Sequence, residues 1–395
     1  MDAERARLLR AARRVVIKVG TSTVTGTDAA LCTERIEPIV ASIARLIKGG
    51  SQVVLVSSGA VGLGRGHLGL HSSRLHDLVT KQACAAVGQS LLMNAYKQLF
   101  TAWDVKIAQV LLTEEDFTNR RRYSNLRHTM EKLFAFHVLP IINQNDTVST
   151  AEIEALDSGG RTSGFSDNDR LAALVASGLE ADALVLLTNV DGVLKRQPSG
   201  KPGRAQIDSH AEVIPLVAEI TPELRTLAAG PSESGRGGMV TKLEAADIAM
   251  NCGKVAVIAN GESPGILDRI FAGEQHGTAF LPSKRIRGKR RWIAYIADVR
   301  GKVVVDAGAQ QAISRGKASL LASGVVSIRG QFSPADVVSI VDREGREFAR
   351  GIANCASHET EHWLRNMNSH TREGKRAAAS QIVVRRDNIV LLPKP

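Results

Sequence analysis

Up to about residue 280 the chain alternates short apolar runs rich in β-branched residues with longer stretches of helical spacing, a rhythm that argues for a parallel sheet covered on both faces. The strand candidates are Val15–Val19, Val53–Ser57, Ile107–Leu112, Val138–Ile142, Ala183–Leu187 and Val255–Ala259. Between them, Glu34–Ile47, Leu75–Phe100, Ser124–Phe134 and Asp169–Ser177 carry apolar residues at helical intervals. In such sheets ligands bind beyond the carboxyl ends of the strands, so the turns there are where chemistry is sought.

After residue 290 short strands recur at close spacing with glycine turns, at Ile293–Ala297, Lys302–Val305, Val325–Arg329, Val337–Val341 and Glu347–Ile352. A chain of 395 residues is in any case long for one core. The expected division is a larger α/β domain over 1–283, a basic linker over 284–291 (KRIRGKRR), a small β-rich domain over 292–370, and a tail over 371–395 that ends in a strand, Ile382–Leu392. The net charge of +11 is compatible with nucleic acid or an anionic substrate, or with neither. No apolar run approaches the roughly 20 residues of a membrane span, so no membrane association is expected. Met1–Arg14 reads as a short solvated helix. The four cysteines, Cys32, Cys84, Cys252 and Cys355, stand singly, as core residues of a reducing compartment do, which gives the cytoplasm as the expected location and no metal site.

Several strands run into small polar turns. Val15–Val19 ends in Gly20-Thr21-Ser22, and Val53–Ser57 ends in Ser58-Gly59-Ala60, followed by Gly62, Gly64 and Gly66. Glycine lets backbone N–H groups approach an anion, though such turns are also glycine-rich for steric reasons. Lys18 lies one residue inside the first turn, in an otherwise apolar strand. Two readings stand: an edge-strand lysine reaching water, or the cation that a transferring phosphoryl group requires. A second basic-glycine string, Ser234 to Lys242, leads into an Ala-rich helix, where Gly237 and Gly238 can form an anion nest. Asn143-Gln144-Asn145-Asp146 follows one strand, and Asp167-Asn168-Asp169 opens a helix, with more acid and amide than a helix cap requires.

These strings together resemble the amino acid kinase family, and within it the branch that phosphorylates the side-chain carboxylate of glutamate. The matching residues are Val16 to Ser22, Ser57-Ser58-Gly59-Ala60, Lys81-Gln82-Ala83 with Ala86-Val87-Gly88-Gln89, Leu111-Leu112-Thr113, Pro140 to Asp146, Thr150 to Ile153, Asp167 to Asp169, Leu186-Leu187-Thr188 and Gly237 to Lys242. The C-terminal region resembles a PUA domain, through Gly301 to Ala309, Ser319-Leu320-Leu321, Gly324-Val325, Gly330-Gln331-Phe332 and Ala349-Arg350-Gly351.

The resemblance implies an α/β three-layer sandwich with a mainly parallel central sheet, plus a small β-rich barrel. It implies ATP, with Mg²⁺ arriving on it, as the phosphoryl donor, L-glutamate as acceptor, and the first step of proline biosynthesis. Proline as feedback inhibitor, a homodimer or tetramer, and RNA contact through the PUA domain are further expectations. By position, Lys18 and Lys242 would neutralise the transferring phosphoryl group, and Asp169 would hold both lysines, with Asp167 on the acceptor's ammonium group. Ser58, Gly59, Asp146 and Asn168 would bind glutamate. Gly20, Thr21, Thr188, Asn189, Arg236, Gly237, Gly238, Met239, Val240 and Thr241 would join the two lysines in binding the nucleotide.

Three features depart from the family's pattern. Thr188 to Lys195 lacks the usual T-x-D-P, an apparent Gly/Ser-rich insertion spans Ala155 to Phe165, and the loop ahead of Gly237 is short. Asn189 and Leu194 stand where the family has Asp and Tyr, which predicts weaker selectivity for ATP over GTP. The competing readings are another member of the family, acting on an acceptor such as acetylglutamate, and an RNA-binding protein working through its C-terminal domain.

Overall fold

The computed structural model describes residues 2–26, 30–70, 78–113, 115–148, 168–195, 212–228, 238–283, 293–294, 299–316, 318–367 and 379–392. The chain divides into two compact units, Met1–Arg285 and Ile286–Pro395. The basic run 284–291 and the insertion 155–165 lie outside the described residues.

The first unit is built on eight strands: β1 Arg14–Val19, β2 Gln52–Ser57, β3 Lys106–Leu112, β4 Val138–Gln144, β5 Ala183–Thr188, β6 Leu216–Val217, β7 Val255–Asn260 and β8 Thr278–Phe280. Their order across the sheet is β3-β4-β2-β1-β5-β7-β8-β6. The first six run parallel, and β8 turns antiparallel to β7. The six strand candidates of the sequence are all present. The last two, too short to carry an apolar rhythm, were not anticipated.

Helices of this unit are α1 Asp2–Arg10, α2 Thr21–Val24, α3 Thr33–Lys48, α4 Ala60–His67, α5 Leu78–Thr101, α6 Glu115–Thr118, α7 Arg120–Ala135, α8 Asn168–Gly178, α9 Pro222–Ala228, α10 Met239–Asn251 and α11 Ile266–Phe271. On one face, alternate strand residues such as Ile17, Leu55, Ile141, Val185 and Val257 pack with Leu9, Ile39, Ile43, Leu92, Phe100 and Ile270 from α1, α3, α5 and α11. On the other, α7, α8 and α10 lie on β4, β1, β5 and β7. This is the three-layer sandwich, and it explains why the central strands are apolar at successive positions. Nor is α1 merely solvated: Arg5 and Leu9 are buried, and Arg5 Nη2 donates to the His276 carbonyl at 2.8 Å.

The glycines after Ser58 serve packing as well as the turn. Gly59 has φ 97°, a left-handed conformation costly for other residues. Gly62, Gly64 and Gly66 lie within α4, not in a loop. There α4 crosses α5 backbone against backbone: a Cβ on Gly64 would stand 1.8 Å from the Cys84 carbonyl oxygen, and one on Gly88 1.8 Å from that of Ala60.

Among its described residues the second unit has six strands, β9 Val299–Val305, β10 Leu320–Leu321, β11 Val325–Arg329, β12 Val337–Val341, β13 Glu347–Ala353 and β14 Ile382–Leu391, ordered β10-β14-β13-β12-β9-β11. Two helices, α12 Ala307–Ser314 and α13 Ser357–Met367, accompany them, the first capped by Asp306. Val303, Ile313, Leu320, Phe332, Val338, Ile340 and Val383 form its core. Two expectations are corrected. The final strand is no tail, because β14 pairs with both β10 and β13 inside the sheet. Ile293 and Ala294, expected in a strand, are buried but not extended; their apolar character reports burial alone.

Candidate active site

The parallel sheet reverses its winding at β1, which has β2 on one side and β5 on the other. A crevice opens beyond the carboxyl ends of strands at such a point. Lys18 is the penultimate residue of β1, registered between Val56 and Leu186. An edge position is therefore excluded. Its ammonium lies 2.6 Å from Asp169 Oδ1, and the Lys242 ammonium, from the first turn of α10, lies 3.1 Å from Asp169 Oδ2. Asp169 is fully buried at the start of α8, and the two lysines are nearly so. Burial pushes the Asp169 carboxyl pKa up, but Lys18 and then Lys242 outweigh it and hold it below the usual carboxylate range. Thr241 Oγ1 donates to Asp169 Oδ2 at 3.3 Å, so α10 reaches the carboxylate twice. Two ammonium groups on one carboxylate leave a net positive charge at the end of β1.

The surroundings suit an anion. A methyl group on Gly20 would sit 3.8 Å from the Lys18 ammonium, so glycine keeps that space open. Thr21 opens α2 directly after it. The β1 and β2 turns touch one another, since a Cβ on Gly59 would meet Val24 Cγ1 at 3.0 Å. At the N-terminus of α10, Gly238 is the cap residue, and Met239 and Val240 begin the helix with Val240 exposed. Arg236 and Gly237 lie outside the described residues, as does Asp167.

Beside this cluster stands a set of amides. Asn168 Nδ2 donates to the Ser57 carbonyl at 3.0 Å, Ser58 Oγ at 2.8 Å and Asn143 Oδ1 at 3.2 Å. Its own Oδ1 is buried and accepts no hydrogen bond among the described residues. Asn143 Nδ2 donates in turn to Gln89 Oε1 at 2.8 Å. Ser57 Oγ and the Tyr96 hydroxyl share a hydrogen bond of 2.9 Å, and burial pushes the Tyr96 pKa up to about 12. A cavity of about 290 Å³ adjoins, walled by Ala60, Gln89, Gln109, Gln144, Asn145 and Asp146 among others. Asp146 therefore stands on a cavity wall shared with Gln89. Gln89 and Tyr96 were not given a role from the sequence, and Asn143 was named only within the polar string that follows its strand. Gln89 and Asn143 lie within matched strings, and a polar side chain in a buried position was the available signal.

On the opposite side of β1, Thr188 ends β5 and its Oγ1 donates to Asn189 Oδ1 at 3.3 Å. Asn189 is exposed. The arm that follows is fixed at its far end: Val193 N–H donates to Thr278 Oγ1 at 2.8 Å, Ile214 N–H donates to the Val193 carbonyl at 2.7 Å, and Lys195 pairs with Glu212 at 2.6 Å.

The amino acid kinase family profile matches residues 13–260, and the PUA domain profile matches residues 301–373. A glutamate 5-kinase of Caldanaerobacter subterraneus subsp. tengcongensis is 42% identical over 384 residues, covering 96% of this chain and 98% of that one. A glutamate 5-kinase of Myxococcus xanthus is 45% identical over 347 residues, 87% of each chain. Among solved structures, a UMP kinase from Bacillus anthracis covers 68% of this chain and 96% of its own at 17% identity, with a TM-score of 0.46. The chain belongs to the amino acid kinase family, with glutamate 5-kinases as relatives over nearly its full length, and it carries a PUA domain after the kinase unit.

Proposed function

We propose that the protein transfers the γ-phosphoryl group of ATP to the side-chain carboxylate of L-glutamate, giving glutamyl 5-phosphate and ADP, the first step of proline biosynthesis. The observation that carries this reading is the Lys18–Asp169–Lys242 cluster, net positive and nearly dry, beside an amide-lined acceptor region. A glutamate carboxylate oxygen attacks the γ-phosphorus, an O–P bond forms, and the bond to the β,γ-bridging oxygen breaks with its electron pair leaving on ADP. The acceptor is already ionised near pH 7, so no general base is required. Catalysis is then positioning and charge stabilisation. Asp169 holds Lys18 and Lys242 where negative charge accumulates on the transferring group. Gly20, Thr21 and the α10 segment Gly238 to Thr241, with Arg236 and Gly237 ahead of it, take the phosphates, and Thr188 and Asn189 take the rest of the nucleotide.

Ser58, Gly59, Asp146 and Asn168 hold glutamate, with Asp167 on its ammonium group; the buried, unpartnered Asn168 Oδ1 supports a ligand donor at that point. Among the described residues of the site, the Asp169 carboxylate is held by two ammonium groups and that of Asp146 stands on the cavity wall, so the residues fit Mg²⁺ carried on ATP's phosphates rather than one held by side chains. Inhibition by proline, a homodimer or tetramer, RNA contact by the PUA domain and a cytoplasmic setting belong to the same reading, supported by the family likeness, while weakened ATP-over-GTP selectivity rests on the departures at Asn189 and Leu194.

ATP-dependent hydroxamate formation tests it. Glutamate should be used well and N-acetylglutamate poorly. Lys18→Ala and Lys242→Ala should each lower kcat at least about a hundredfold with modest change in glutamate KM. Preference for the acetylated acceptor, or near-normal kcat in either variant, would overturn the assignment.

A further inference from the structure

We propose that Gln89 is a positioning residue for the acceptor site, acting through Asn143 on Asn168. This rests on the reading of Asn168 as an acceptor-binding residue. The three amides form a chain whose polarity is set by two backbone groups, one at its middle member and one at its Asn168 end. The Gln144 N–H, which can only donate, points at Asn143 Oδ1 at 2.9 Å, so the Asn143 amide nitrogen must face Gln89. The Ser57 carbonyl, which can only accept, takes Asn168 Nδ2 at 3.0 Å, so Asn168 Oδ1 must face away from it. That oxygen is buried without a partner among the described residues, and an amino acid's ammonium group is the donor class it suits.

Asn143 is 2% exposed, and its Nδ2 has Gln89 Oε1 as acceptor. Without that acceptor a buried N–H₂ is stranded, and the least costly relief is rotation of Asn143 toward the cavity. Rotation withdraws Asn143 Oδ1 from Asn168 and frees Asn168 to turn. Gln89 reaches this position from α5, which carries Tyr96 two turns further along on the same face. Tyr96 steadies Ser57 while Gln89 steadies Asn143, and both of those residues hold Asn168. One helix thus braces both supports of the acceptor-binding amide.

Gln89 also lines the cavity, so direct contact with the acceptor is the competing explanation, and a double-mutant cycle separates the two. Gln89→Met, of similar length but without the acceptor, should lower kcat/KM for glutamate about tenfold, near the worth of one hydrogen bond. The loss should lie in glutamate KM, with kcat and ATP KM held within about twofold. In an Asn143→Ala background the same substitution should change kcat/KM by less than about twofold. Gln89→Ala serves as the second variant should the thioether prevent folding, and first-order rates at low glutamate give kcat/KM where saturation is not reached. Additive losses in the cycle overturn the proposal in favour of direct contact. Equal losses for ATP and glutamate overturn it in favour of general support of the fold. An enzyme that uses another acceptor refutes the glutamate reading alone, and the cycle is then measured with that acceptor.

Discussion

Asp169→Asn is the most informative single change, because it keeps the shape of the side chain and removes only its charge and one acceptor. The wild-type carboxylate gives one oxygen to each lysine, at 2.6 Å to Lys18 and 3.1 Å to Lys242. An amide can accept from one ammonium and must turn its N–H₂ toward the other. The lysine side chains are 6% and 8% exposed, so water cannot replace the lost partner. Breaking a buried pair in this way costs about 3–5 kcal/mol, and the retained acceptor places this case near the lower figure. For a unit of this size that is a fall in Tm of roughly 6 °C by thermal denaturation. ATP should restore more stability to the variant than to the wild type, since its phosphates supply the missing anion, while kcat falls at least about a hundredfold. The pH dependence has a fixed sign. The Asp169 pKa is depressed in the folded protein, so its contribution is complete above the unfolded value near 3.8 and is lost as pH falls through the depressed one. The gap in Tm should stay constant from neutral pH to about pH 5 and close only below about pH 4. An unchanged Tm, or a gap that closes by pH 6, would refute the view that this carboxylate pairs with two buried lysines.

Gly88→Ala should destabilise the kinase unit by about 1–3 kcal/mol or more in chemical denaturation, because its new Cβ would lie 1.8 Å from the Ala60 carbonyl oxygen. Gly62→Ala in α4, whose Cβ meets nothing nearer than 3.6 Å, should be neutral or gain up to about 1 kcal/mol; equal effects would refute the crossing as the cause. A chain ended after Arg285 should still form glutamyl hydroxamate, because every described group of the site precedes that residue; a folded but inactive truncation would refute this.

The sheet was legible because its strands are apolar on both faces, and Lys18 stood out as a charge within one of them. What Lys18 touches was not legible from the residues alone, since Asp169 reaches it from a distant helix and is itself met by Lys242 from another. The glycines of α4 looked like loop because helix propensity argues against Gly62, Gly64 and Gly66. Close packing on α5 overrides that local preference at Gly64. The Gln89–Asn143–Asn168 chain was invisible for a related reason: its links span 54 and 25 positions, and a side-chain amide pair leaves no periodic trace. At β14 the misjudged boundary came from taking the chain after residue 370 as a tail, whereas Ser357–Met367 is a helix and the chain then returns to the sheet.

That return governs how the two units are made. The ribosome delivers every strand of the kinase unit by Phe280, so its sheet can close while the rest is still being synthesised. The second unit has no such head start. The place between β10 and β13 is filled only by Ile382–Leu391, which emerges last of the six strands, and until then both neighbours present unpaired edges. The interval between synthesis of β13 and of β14 is therefore the period when a nascent chain is most exposed to strand addition from another chain, and a stall there would yield a finished kinase unit beside an open sheet.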